Sequence, residues 1–112
     1  MNVTGHDYQI AALRTAEHLD ADEMLINGVL GLAGEVGECV DLVKKHLYQG
    51  HPLDKEHLTK ELGDVSWYLA TTAAAIGVDL DSVFQMNVEK LLKRYPDGFE
   101  IHDSINRKVG DV

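Results

Sequence analysis

Two short acidic words carry the chemistry of this chain: Glu35-Val36-Gly37-Glu38 and Glu61-Leu62-Gly63-Asp64. In each, the two carboxylates are spaced i, i+3, so on a helix they project from neighbouring positions of one surface. At about 100° per residue, Glu35 lies about 100° from Val36, the centre of its apolar stripe, and Glu38 about 160° away. Around Val65, Glu61 lies only about 40° from the stripe centre and Asp64 about 100°. Three of the four acids therefore border a face expected to be buried, where an unpaired charge is costly. Converging carboxylates repel one another unless a proton or a cation bridges them. Oxygen donors in that number suit Mg²⁺, with Mn²⁺ as a substitute, better than zinc.

A complementary set follows. Asn87, Lys90 and Arg94 are spaced i, i+3, i+7 and line one edge of a helix, with Leu80 and Leu91 within about 40° of Asn87. Cations bordering a core can simply extend their aliphatic stems past apolar neighbours. Facing acids that border a core elsewhere, they suit a phosphate clamp opposite a metal site. Taken singly, acidic i, i+3 pairs are ordinary solvated helix faces, and Glu61 has Lys60 and His57 nearby as local partners. Two such pairs on two long helices, both beside glycines, favour a common site.

Four helices are expected to position these residues. The first runs from an N-cap at Thr4 to about His18, with Ile10 and Leu13 inward. The second runs from about Met24 to Tyr48, its stripe being Leu25, Val29, Leu32/Ala33, Val36, Val40, Val43 and Leu47. Gln49-Gly50-His51-Pro52 breaks the chain. The third spans about Asp54 to Ile76 through Leu58, Leu62, Val65, Leu69 and Thr72, with Gly77 closing it. The fourth runs from about Asp79 to Arg94 through Leu80, Phe84, Val88 and Leu91, and must stop near Pro96. No segment alternates as a strand would, so the fold class is all-α, a four-helix bundle-like unit over 1–94 with a tail or arm over 95–112. Gly28, Gly31, Gly34 and Gly37 fall inside the second helix, each disfavoured by roughly 0.5–1 kcal/mol against alanine. The unbroken apolar period argues against a loop, so something must approach this helix closely. Gly28 and Gly31 share the side of Glu35 and are expected to leave room for a ligand. Trp67 points about 160° from its stripe and suits a subunit interface. Cys39 is a small core residue, and His46, His51 and His57 around the turn are expected on the solvated surface.

With these residues in place, the chain resembles the MazG-like, all-α nucleoside triphosphate pyrophosphohydrolases. Their ExxE…ExxD pattern is matched by Glu35-x-x-Glu38, 22 intervening residues, and Glu61-x-x-Asp64. The words GLAGEVGE, KELGDVSWYLA and NVEKLLKRYPDGF also look like the family, and the resemblance covers roughly residues 5–107. It implies cleavage of a (d)NTP between the α and β phosphates, giving the monophosphate and pyrophosphate, in nucleotide pool sanitation or control. It implies that Glu35, Glu38, Glu61 and Asp64 hold Mg²⁺, with Glu38 or Glu35 orienting the water. Lys90 and Arg94 match phosphate-contacting positions, Asn87 adds a polar contact, and Tyr68 matches an aromatic position near the nucleoside. A single unit rather than a tandem pair marks the short type, for which a homodimer or homotetramer is expected. The tail is expected to fold over the site and lend Arg107.

Composition narrows the rivals. The chain has 112 residues, 10 Lys+Arg against 19 Asp+Glu, and a formal net charge of −9. That balance, without basic clusters, argues against a nucleic-acid or anionic-membrane surface. One cysteine and no apolar leader suit a reducing, cytoplasmic setting. There is no GxxxxGK[ST], GLAGEVG lacks the preceding strand of a dinucleotide fingerprint, and no CxxC occurs. The absence of ExxH counts against a ferritin-like di-iron bundle. The remaining alternative is a non-catalytic acidic helical interaction module.

Overall fold

A computed structural model describes residues 2–112 as five helices: α1 (Gly5–Leu13), α2 (Ala21–Tyr48), α3 (Lys55–Ala75), α4 (Leu80–Arg94) and α5 (Ile101–Ile105). Among the described residues no strand forms, so the chain is all-α, and no helix is long and apolar enough to cross a membrane.

Side chains set most of the boundaries. The Thr4 hydroxyl accepts from the Asp7 amide, Asp54 caps the His57 amide, and Asp79 caps the Asp81 amide. α2 begins three residues before the expected start because Asp20 and Glu23 form a reciprocal capping box. α1 is shorter than expected. It ends at Leu13, where Ala12 and Leu13 carbonyls accept from the Thr15 and Ala16 amides in tighter turns and the Thr15 hydroxyl also bonds back to Ala12. α3 closes at Gly77, whose φ of 75° suits only glycine without strain.

α2 and α3 pack along their length as a hairpin across the turn at 49–54, while α1 and the start of α4 pack on α3. The core lies there: Ala12, Ala70 and Leu80 are buried, with Tyr8, Trp67, Leu69 and Val83 against them. One buried side chain joins the three helices. Gln9 Nε2 donates to the carbonyls of Ala70 (3.1 Å) and Val78 (3.0 Å), and its Oε1 accepts from the Leu80 amide at 3.0 Å. This amide corrects the face assigned to α1: Ile10 is exposed, and Tyr8, Gln9 and Ala12 point inward instead. Trp67 is likewise committed within the chain, its Nε1 donating to the Thr15 hydroxyl at 2.7 Å, so α1 takes the place of the expected subunit partner.

The largest correction concerns α2. The residues turned toward α3 are Met24, Gly28, Gly31, Glu35, Cys39 and Leu42, all buried or half-buried. The apolar stripe read from the sequence lies beside that seam, and Leu25, Val29, Val36, Val40, Val43 and Leu47 are exposed. So are Phe84, Val88 and Leu91 of α4. A compact chain of 12.4 kDa has an accessible surface of about 6,100 Å² and a radius of gyration of about 13 Å; here they are 8265 Å² and 17.0 Å. The tail also holds more order than its sequence pattern implies, through α5 and an ion pair between Asp111 and Arg94.

Candidate metal centre and cation cleft

The seam between α2 and α3 brings three of the four acids together. Carboxylate oxygens of Glu35, Glu61 and Asp64 lie within 4.8 Å of one another. Glu35 sits half-buried in the middle of the seam, facing Glu61, whose side chain is 15% exposed. Its pKa is pushed up to about 7, first by a hydrogen bond with Glu61, then by burial and by the charges of Glu61, Asp64 and Glu38. A raised pKa at Glu35 is what crowding by neighbouring carboxylates produces without a bridging cation. Glu38, one turn beyond Glu35, is exposed and lies outside the three-residue cluster, although its charge is felt by Glu35.

Two neighbours attach to this centre, one of them a local partner that the sequence offers for Glu61 and the other not legible from it. His57, one turn before Glu61, places Nε2 at 3.1 Å from Glu61 Oε1. Tyr8 of α1 reaches across to donate to the Gly63 carbonyl at 3.4 Å, and burial and the Asp64 charge raise its pKa. The i, i+4 spacing of His57 and Glu61 signals the first contact; nothing local signals the second, which joins residues 55 apart.

The four glycines of α2 divide into two pairs. A Cβ at Gly28 would strike the Thr72 side chain and one at Gly31 the Tyr68 ring, so the room expected there for a ligand is filled by α3 itself. At Gly34, Gly37 and Gly63 a Cβ would meet nothing within 4 Å. The open space therefore adjoins the acids, one turn further along. Tyr68 stands at the border, edge-on to Trp67 at 5.0 Å between centroids, and among the described residues its phenol has no hydrogen-bond partner.

The cations assemble elsewhere. Lys90 and Arg94 line a cleft of about 580 Å³ between the second half of α4 and the segment after it, together with Lys93, Arg107 and Lys108. Half of the chain's 10 Lys+Arg thus converge on one cleft of an acidic protein, the basic cluster that the linear sequence hides by splitting it between 90–94 and 107–108. Asn87 is exposed and does not line it. The walls come from α4 and later residues alone, so within one chain the cleft shares no residue with the acidic cluster.

The family of the MazG nucleotide pyrophosphohydrolase domain matches this chain over residues 26–99, which include both acidic words and the first half of the cation cleft. The chain is similar to Gene 37 protein of Mycobacterium phage L5, 40% identical over 96 residues that cover 78% of this chain and 84% of the relative. No solved structure matches it. The chain belongs to the MazG nucleotide pyrophosphohydrolase family, a class of metal-dependent enzymes.

Proposed function

We propose that this protein hydrolyses (d)NTPs between the α and β phosphates, releasing the (d)NMP and pyrophosphate, with Mg²⁺ as its cofactor and Mn²⁺ as a substitute. The observation that carries this reading is the convergence of the Glu35, Glu61 and Asp64 carboxylates within 4.8 Å on the family's motif. The donor set fits a hard divalent cation: oxygen ligands only, mutual repulsion to relieve, and open space at Gly34, Gly37 and Gly63. Glu35, Glu61 and Asp64 would hold it, with Glu38 joining from the exposed side. When bound, the cation neutralises phosphate charge and makes water a better nucleophile. Glu38, exposed and unpartnered beside the cluster, or Glu35 orients that water and takes its proton. Lys90 and Arg94 bind the phosphates, Asn87 adds a contact at the edge, and the free phenol of Tyr68 faces the nucleoside side of the seam. The substrate is a free nucleotide rather than a nucleic acid or a membrane surface, and the setting is cytoplasmic.

The separation of acids from cations supports assembly as a homodimer or homotetramer. Per chain, about 2,100 Å² of surface exceeds that of a compact monomer, against about 800 Å² per partner in an ordinary stable interface. The exposed stripes of α2 and α4 are the faces that a second chain covers, completing the four-helix arrangement and bringing a cation cleft to an acidic cluster.

The test is a panel of canonical and modified NTPs and dNTPs with Mg²⁺ and Mn²⁺, with monophosphate, pyrophosphate and orthophosphate measured separately and Glu38→Gln in parallel. Monophosphate plus pyrophosphate, lost in the variant, establishes the reaction and its preferred base together. Orthophosphate with a diphosphate product moves the cleavage site. Silence across the panel, with no metal-induced rise in Tm, leaves the interaction module as the better reading of the exposed stripes.

A further inference from the structure

One enclosed charge of the cation cleft is not open to a ligand. The Arg94 side chain is only 9% exposed, and its Nε and Nη2 donate to the two carboxylate oxygens of Asp111 at 2.9 and 2.6 Å. This fork-on-fork pairing is the one a guanidinium also makes with two oxygens of a phosphate. Asp111 arrives on a segment with little else to hold it. Residues 105–110 are exposed, as is Val112, and Asp111 is the half-buried contact at the tip. Gly110, just before it, has φ 87°, and an Asp111–Lys108 turn at 3.0 Å presents the carboxylate to α4. The root of the segment is fastened differently, through Tyr95, whose ring packs on Phe99 with 5.2 Å between centroids.

We propose that Asp111 is an internal stand-in for a phosphate group, so that residues 106–112 form a strap that closes Arg94 in the ligand-free protein and is displaced by the polyphosphate of the substrate. The proposal rests on the reading of Arg94 as a phosphate-binding residue. Charge favours the exchange. Of the eight charged side chains lining the cleft, five are cations, and releasing Asp111 leaves them against Glu89 and Asp103 alone. A tri- or pyrophosphate brings more negative charge to these five than one carboxylate does. The strap therefore lowers apparent affinity for any polyphosphate by the fraction of time it is closed, without entering the reaction.

The experiment compares wild type, Asp111→Asn, Gly110→Val and Arg94→Gln in Mg²⁺-dependent turnover of the preferred dNTP and in binding of its α,β-imido analogue. Amide hydrogen exchange is followed over 104–112. Asp111→Asn is expected to lower KM and the analogue Kd on the order of threefold to tenfold, with kcat unchanged. Gly110→Val, which cannot keep φ 87° without strain, is expected to act in the same direction. In wild type the analogue is expected to speed exchange at 107–112 while slowing it elsewhere. A higher KM or lower kcat in Asp111→Asn overturns the proposal, because Asp111 would then position Arg94 for substrate. Unchanged exchange on analogue binding also overturns it. If Arg94→Gln leaves KM and Kd untouched, the phosphate reading of Arg94 itself fails. If Arg94→Gln raises both while Asp111→Asn changes neither, only the strap fails.

Discussion

Two stretches of one helix use glycine in opposite ways. At Gly28 and Gly31 the missing Cβ lets Thr72 and Tyr68 press against the α2 backbone; at Gly34 and Gly37 it leaves space that nothing in the chain fills. Residue type, helix and spacing are the same in both stretches. What differs is the partner: side chains of α3 in the first, the surroundings of Glu35 and Glu38 in the second. Helical glycine is therefore no evidence of a ligand by itself. It becomes informative only when the neighbouring helix is seen to leave the space open.

The widest gap between the two stretches should appear in activity. Glu61→Gln is expected to lower kcat/KM for the preferred dNTP by at least about a hundredfold, while raising the Tm of the metal-free protein at pH 8 because the repulsion with Glu35 is gone. Stability should then separate the glycines. Gly31→Ala forces a methyl into the Tyr68 ring and is expected to destabilise by about 1–3 kcal/mol, read by urea unfolding. Gly34→Ala meets nothing and is expected to stabilise by about 0.5–1 kcal/mol, with any loss of activity reporting the space it occupies. Equal stability effects would erase the distinction drawn here.

Proton linkage probes the acidic stretch more gently. With Glu35 held at about 7 against an ordinary 4.5, the folded chain keeps a proton that the unfolded chain has given up. Metal-free stability is thus expected to fall as pH rises from about 4.5 to about 7 and to level off above, and saturating Mg²⁺ should flatten that fall. The same proton competes with the cation, so Mg²⁺ affinity should rise with pH up to about 7; calorimetry in buffers of different ionisation enthalpy measures the protons released. The smallest effect lies outside both stretches. The exposed His6–Asp79 pair, 2.7 Å apart, raises the His6 pKa and lowers that of Asp79. Its contribution is present below the ordinary histidine pKa and lost as pH rises through the raised value. Accordingly, His6→Gln should lower Tm slightly at pH 6 and less at pH 8.

Much of this arrangement is written locally. Asp54, Asp79, Gly77 and the two prolines mark helix ends whatever the rest of the chain does, and the i, i+3 acids announce themselves on any helix. The inward face of α2 is not local. Periodicity finds the most apolar stripe, and here that stripe is the exposed one, while the seam with α3 is built from glycines, a cysteine and Glu35. Gln9 was equally hidden, because a lone glutamine on a short helix gives no sign that three backbone groups 61 to 71 residues away will converge on it. The Asp111–Arg94 pairing spans 17 residues and a turn, beyond the reach of any helical period.

The way α4 is attached has a mechanical consequence. Leu80 and Val83 anchor its first turn in the core, and Gln9 clasps the Leu80 amide, but from Met86 to Leu92 the apolar residues stand free. Arg94 therefore rides at the end of a rod about 21 Å long, held at its base by Leu80, Val83, the Gln9 amide and the His6–Asp79 pair. A swing of about 10° at that base carries the guanidinium about 4 Å, the difference between touching a phosphate and missing it. In this molecule, a neutral glutamine and the few groups around it at the base of α4 are the bearing on which the reach of the cations turns.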